Sequence, residues 1–325
     1  MNTLAKFIAC NSRYPLHMPG HKRDTALAGF PKLAEDITEV LGADDLSAPG
    51  GFLLDLERLG AELYHSRHAL ISVNGSSACN LAAIRAAFLK FGGSELLITE
   101  DAHRSVWNAA ELCGLKPVFE RSDKTKIAVV TTPMYDGTLR DISGTDGLCV
   151  IVDAAHGAHL GFDAYFPASP IASGADLVVM SLHKTLPALG QTALLHICSD
   201  RFSIVEKIRG QMNVFQTSSP SYLLLASIER CLTLLRDKSG ELFSDYADRL
   251  RKFYEAAGEK VLQPYQAGKL TRDPGKIFVP GVTAEKFRKN GFEPEREFPN
   301  GTLLMTSIAD PDWVFEKLLN SCIQS

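Results

Sequence analysis

Five short apolar runs, each ending in a cluster of polar residues, constrain this chain more than any other feature. Ile71-Ser72-Val73 runs into Asn74-Gly75-Ser76-Ser77, and Leu96 to Thr99 into Glu100-Asp101-Ala102-His103. Ile127 to Val130 ends in Thr131-Thr132-Pro133, Val150 to Val152 in Asp153-Ala154-Ala155-His156, and Leu177 to Met180 in Ser181-Leu182-His183-Lys184. Runs this short and this apolar read as strands buried on both faces. Helical stretches lie between them, including 52–65 with Leu53, Leu56, Leu59 and Leu63 at helical spacing, and the alanine-rich run from 78 to 91. Alternating strands and helices predict a mostly parallel sheet wrapped by helices. In such sheets ligands sit beyond the carboxyl ends of the strands, so the five polar clusters are expected to line one pocket.

The remainder sets the outer bounds. A chain of 325 residues holds a large domain and a small one. The sequence divides into an N-terminal arm over 1–45, a large domain over 46–230 and a small α+β domain over 231–325. After about residue 225 helices are expected at 225–236, 241–257 and 311–321, with strands at 276–279 and 302–306, and a long helix joins the small domain to the large one. The net charge of -4, with no Lys/Arg block, argues against a nucleic-acid partner. The seven cysteines are scattered and form no CxxC pair, which suits free thiols in a reducing compartment. No run reaches the roughly 18 apolar residues of a membrane span. A cytoplasmic protein is expected. His17 and His21 lack a third ligand at convincing spacing, so no metal is expected.

Each candidate site residue has a plain reading and a chemical one. Lys184 either caps a strand and reaches into solvent or, partly withdrawn from water, offers a neutral amine able to attack a carbonyl. Asp153 either starts a turn or serves as the anion for a buried cationic nitrogen. Ser76 and Ser77 either cap a helix or, with its first N–H groups, hold an anion. Together, an amine, a carboxylate and an anion-binding helix start are what pyridoxal phosphate requires for its aldehyde, ring nitrogen and phosphate.

The chain resembles the ornithine/lysine/arginine decarboxylase family. The resemblance rests on PLHMPGHK (15–22), DITEVLGADDL (36–46), SVNGSSACN (72–80), DAHRS (101–105), TPMYDG (132–137), VDAAHGAH (152–159), SLHKT (181–185) and QTSSPSY (216–222), in the family's order. It covers roughly residues 14–230. It implies an α/β fold, that of the fold type I pyridoxal-phosphate enzymes (aspartate-aminotransferase-like), with a mostly parallel sheet in the large domain and a small α+β C-terminal domain. By the same resemblance Lys184 binds the cofactor aldehyde, Asp153 pairs with the ring nitrogen and His103 stacks on the ring. Ser76, Ser77 and Ala78 form the phosphate end. Ala155 and His156 line the pocket, Ser181 and His183 approach the cofactor from the turn that carries Lys184, and Ser219 reaches the phosphate of a neighbouring subunit.

The activity implied is decarboxylation of arginine, lysine or ornithine to the amine and carbon dioxide, by a homodimer with sites at its interface. Relatives usually continue beyond this length, so a short member is expected, without an N-terminal wing or a long C-terminal portion. Arg272 and Arg296 are candidates for the substrate carboxylate. An aminotransferase or lyase of the same fold is the alternative, and a non-catalytic relative stands behind both.

Overall fold

The structure is a computed structural model. It describes residues 36–266 and 268–323, together with 4, 6, 18, 22, 23 and 25–28. The His17/His21 pair, most of PLHMPGHK and much of the expected arm lie outside the described residues.

Seven strands form the main sheet: β1 (His68–Ser72), β2 (Glu95–Ile98), β3 (Lys116–Val118), β4 (Thr125–Thr131), β5 (Cys149–Asp153), β6 (Leu177–Ser181) and β7 (Ala193–Ile197). Their spatial order is β1-β7-β6-β5-β4-β2-β3, and every pairing is parallel except the two made by β7. The buried runs obey the period of two. Val150, Val152, Val178 and Met180 face one core, and Cys149, Ile151, Leu177 and Val179 face the other. Helices Phe52–Tyr64 and Tyr222–Ala257 contribute to the first core, and Gly75–Phe91, Arg104–Leu112 and Val205–Phe215 to the second. Ala82, Ala83, Ala86 and Ala87 are buried along helix Gly75–Phe91, where their small side chains allow close approach to the strands.

Two short strands, β8 (Tyr265–Gln266) and β9 (Lys269–Leu270), pair with each other. Beyond them β10 (Lys276–Pro280), β11 (Arg296–Phe298) and β12 (Gly301–Met305) form an antiparallel sheet in the order β10-β12-β11. Helices Ala284–Lys289 and Asp312–Ile323 complete this part.

One expectation is corrected. The two helices expected at 225–236 and 241–257 are one helix, Tyr222–Ala257. Gly240 sits in its interior with no atom within 4 Å of where a Cβ would stand. A mid-helix glycine costs about 1 kcal/mol relative to alanine. Leu235 and Phe243, both fully buried on either side of it, offset that cost and carry the helix through. The division placed at residue 230 falls within this helix.

Candidate active site

The register brings the polar strand ends to one edge. Thr131 pairs with Asp153 across β4 and β5, Ser181 with Ala193 across β6 and β7, and Ser72 with the same Ala193 across β1 and β7. Asp153 is the last residue of β5 and Ser181 the last of β6, and Lys184 sits one turn further on. The first turn of helix Gly75–Phe91 starts three residues after β1 ends, at the same edge.

Asp153 is buried and held on both oxygens. Oδ1 accepts from the Ala155 N–H at 3.1 Å, and Oδ2 accepts from the Asn80 amide at 2.9 Å. The same Asn80 nitrogen donates to Ser105 Oγ at 3.0 Å. Ser105 in turn lies 2.8 Å from His103 Nδ1 through its hydroxyl, and its backbone N–H donates to that nitrogen at 3.2 Å. Nδ1 is therefore an acceptor, and a neutral His103 carries its proton on Nε2. A continuous chain thus runs His103–Ser105–Asn80–Asp153. Burial, aided by the charges of Lys184 and Arg104, lowers the His103 pKa, while Asp153 opposes the shift.

Lys184 is partly buried, and its Nζ lies 3.3 Å from His156 Nε2. Burial lowers its pKa against the opposing pull of the Asp153 and Glu295 carboxylates. Asp153 acts on both Lys184 and His103, and Lys184 acts on His103. These three groups therefore share one neighbourhood, as their positions in the sequence lead one to expect.

The helix start is open. Its N-cap residue, Asn74, makes no side-chain bond to the first turn, because its Oδ1 accepts from the Thr217 N–H at 3.1 Å. Gly75 adopts φ +74° with nothing within 4 Å of an added Cβ. Ser76 is buried, Ser77 exposed and Ala78 buried, all in the first turn. The Gly75 N–H donates to the Gln191 carbonyl at 2.8 Å; the first-turn N–H groups that follow it have no side-chain cap and are suited to an anion. The QTSSPSY loop lies beside this end, since Gln216 Oε1 accepts from the Val73 N–H at 3.1 Å. Ser219 is exposed on that loop.

The remaining expected residues divide. His183 donates its Nδ1 proton to the Thr192 carbonyl at 2.9 Å, which leaves Nε2 as its reactive nitrogen. Ser181 Oγ is buried and makes no hydrogen bond, nor does Thr185 Oγ1 on the same turn. Arg272 is committed elsewhere: it is buried against Asp136 and Thr138, bonding Thr138 Oγ1 at 2.9 Å and the Asp136 carbonyl. Arg296 lies over the rings of Tyr135 and Phe298, at 5.6 and 4.9 Å.

Asn80, Ser105 and Lys276 belong to this site although the sequence did not single them out as site residues. Lys276, the first residue of β10, is buried, and its Nζ reaches His156 Nδ1 at 2.9 Å and the carbonyls of Tyr135 and Met134. Its signal was a lysine directly preceding the apolar run Ile277-Phe278-Val279. Among the described residues no group of three or more His, Cys, Asp or Glu gathers as a metal set.

The chain matches the major domain of the Orn/Lys/Arg decarboxylases over residues 2–127 and 120–293. It belongs to that family. It is 33% identical over 257 residues to the uncharacterized protein YaaO of Bacillus subtilis, a match covering 68% of this chain and 53% of that protein. It is 28% identical to an arginine decarboxylase of the same organism, covering 88% of this chain and 69% of that one. The chain thus spans about half the length of YaaO. The solved Escherichia coli constitutive lysine decarboxylase superposes with a TM-score of 0.80 at 20% identity, over 98% of this chain and 59% of that one. Serine palmitoyltransferase of Sphingomonas wittichii gives 0.61 at 17%, over 82% and 74%. The family member described here therefore has the fold type I architecture expected of it. No helix among its described residues is long and apolar enough to cross a membrane.

Proposed function

We propose that this chain carries the active site of a pyridoxal-phosphate-dependent decarboxylase acting on a basic amino acid: arginine, lysine or ornithine. One observation carries the reading. A partly buried lysine amine, a buried carboxylate and a helix start without a side-chain cap lie at one sheet edge. The matched family and its arginine and lysine decarboxylase relatives support the same chemistry.

The residues fit the cofactor. Lys184 would hold its aldehyde, Asp153 its ring nitrogen, and the first turn at Ser76, Ser77 and Ala78 its phosphate. The buried, unbonded Ser181 hydroxyl lies on the Lys184 turn, available to a polar group placed there. When bound, pyridoxal phosphate withdraws electrons from the substrate Cα so that a bond to it can break. The protein supplies what surrounds that step. Asp153, fixed by Asn80 and the Ala155 N–H, would keep a proton on the ring nitrogen. His103, its Nε2 proton set by Ser105, would cover the ring, and Ala155 and His156 would line the pocket beside Asp153. Orientation decides which Cα bond breaks. Lys184 Nζ, after taking up the proton that the substrate ammonium gives up, or His183 Nε2, after taking one from solvent, would return a proton to Cα.

A homodimer completes the reading, with Ser219 from one subunit facing the phosphate end of the other. The small-domain division near residue 230 and a cytoplasmic location belong to the same proposal. The test is to incubate purified protein and pyridoxal phosphate with arginine, lysine, ornithine and acidic or apolar controls, and to measure both products. Stoichiometric carbon dioxide and amine from one basic amino acid is the expected result. An oxo acid without carbon dioxide would assign the chain to the aminotransferases instead.

A further inference from the structure

His156 bridges two lysines. Nε2 lies 3.3 Å from Lys184 Nζ and Nδ1 lies 2.9 Å from Lys276 Nζ. A neutral imidazole donates from one nitrogen and accepts at the other. Its tautomer therefore decides which lysine can be the ammonium. With the proton on Nε2, His156 donates to Lys184, which must then be an unprotonated acceptor, and Lys276 is the cation. With the proton on Nδ1, the roles reverse.

The surroundings choose between them. Lys276 Nζ faces two carbonyl oxygens, those of Tyr135 and Met134, in addition to His156. Three donors on an ammonium meet three acceptors. Nζ also lies 5.3 Å from the centre of the Tyr135 ring, a position that favours a cation. Lys184 Nζ makes one hydrogen bond among the described residues, to His156. The site around Lys276 is rigidly built. Asp273 N–H donates to the Gly137 carbonyl at 2.8 Å, and Leu139 N–H to that of Thr271 at 2.9 Å. Arg272 clamps Asp136. Gly137 has φ +97°, and a Cβ there would lie 2.9 Å from Lys276 Cβ, so only glycine leaves the lysine its place.

We propose that Lys276 is a positioning residue for Lys184: from the start of β10 it fixes the proton of His156 on Nε2 and so keeps the Lys184 amine unprotonated and nucleophilic. The inference rests on the decarboxylase reading for its purpose, and on hydrogen-bond geometry for its content. Burial and the two lysine charges push His156 down to about 2, so it stays neutral. Burial lowers both amines, and with the Lys184 charge it takes Lys276 to about 8 against the carboxylates of Asp273, Glu295 and Asp136; the cation is assigned to Lys276 by its three acceptors and the Tyr135 ring. The other charges bearing on this cluster are Asp153 and Glu295 on Lys184, and His103 and His159 on His156.

Two measurements on the cofactor-free protein test this. In histidine-selective ¹⁵N-labelled wild-type protein, with His156 assigned by the signal lost in His156→Gln, the expected state is a protonated Nε2 and a bare Nδ1. A protonated Nδ1 overturns the proposal whether or not Lys276→Met folds. In the second, acetic anhydride labels lysines across pH and peptide mass spectrometry follows Lys184. In Lys276→Met the labelling midpoint of Lys184 should rise by about one pH unit, cutting its reaction at pH 7 about tenfold. An unchanged or lower midpoint in the folded variant overturns it. Neither readout involves turnover. Failure of the amino-acid panel would therefore remove the decarboxylase reading and leave this one standing, and the reverse holds as well.

Discussion

The Asn80 side-chain amide donates to Asp153 Oδ2 over 2.9 Å, joining the second turn of a helix to a strand end 73 residues away. Its two hydrogens are divided between Asp153 and Ser105, so it orients both the carboxylate and, through Ser105, the His103 ring. A hydrogen bond to a charged group contributes about 1.5–3 kcal/mol. Asn80→Ala is expected to weaken pyridoxal-phosphate binding by about tenfold or more, each factor of ten being about 1.4 kcal/mol. Fluorescence or absorbance titration of the cofactor-free variant checks this. Wild-type affinity would show that Asp153 needs no such support.

Arg209 and Glu57 form a two-pronged ion pair at 2.7 and 3.0 Å that ties helix Val205–Phe215 to helix Phe52–Tyr64. Glu57 is also the acceptor for the Ile71 N–H of β1. Both oxygens are thus used deep in the protein, and burial already raises the Glu57 pKa despite Arg209. Removing one partner strands a buried charge. Arg209→Ala should destabilise the fold by about 3–5 kcal/mol in urea denaturation, and a double replacement by apolar residues should recover much of it.

Acid should destabilise the protein through His196. It is fully buried on β7, where Ser66 Oγ lies 2.9 Å from Nδ1 and Nε2 has no partner. Burial lowers its pKa from 6.5 to about 3. Between those values the unfolded chain binds a proton that the folded chain does not. Stability therefore falls as the pH drops through that window, by about 1.4 kcal/mol per pH unit from this group. His156 acts in the same direction. In denaturation series at pH 6 and 4.5, His196→Gln should show a shallower loss than wild type. Equal slopes would mean that His196 takes up its proton in the folded state.

Much of this was legible from the order of residue types. An apolar run that stops at Asp153, or just before Ser181 and Lys184, marks both the strand and the edge where the candidate site lies. The helix Gly75–Phe91 was legible as the alanine-rich run from 78 to 91 that Ser76 and Ser77 precede. What could not be read were the contacts that topology makes. Asn80 is one polar residue in an alanine-rich helix, and nothing in its spacing points to Asp153. Lys276 meets His156 across 120 residues, through a loop whose course depends on Arg272 and Gly137. Arg272 illustrates the converse. A lone arginine near a site suggests a carboxylate partner, and it has one, but the partner is Asp136 of its own chain. The unbroken helix through Gly240 was hidden because burial of Leu235 and Phe243 outweighs a local breaker.

The most direct test asks where the cofactor attaches. Protein loaded with pyridoxal phosphate is reduced with borohydride, digested and mapped by mass spectrometry. A single stoichiometric adduct on Lys184, lost in Lys184→Ala while the variant keeps its fold, is the expected result. An adduct on Lys276 or on any other lysine, or no adduct at all, would contradict the account.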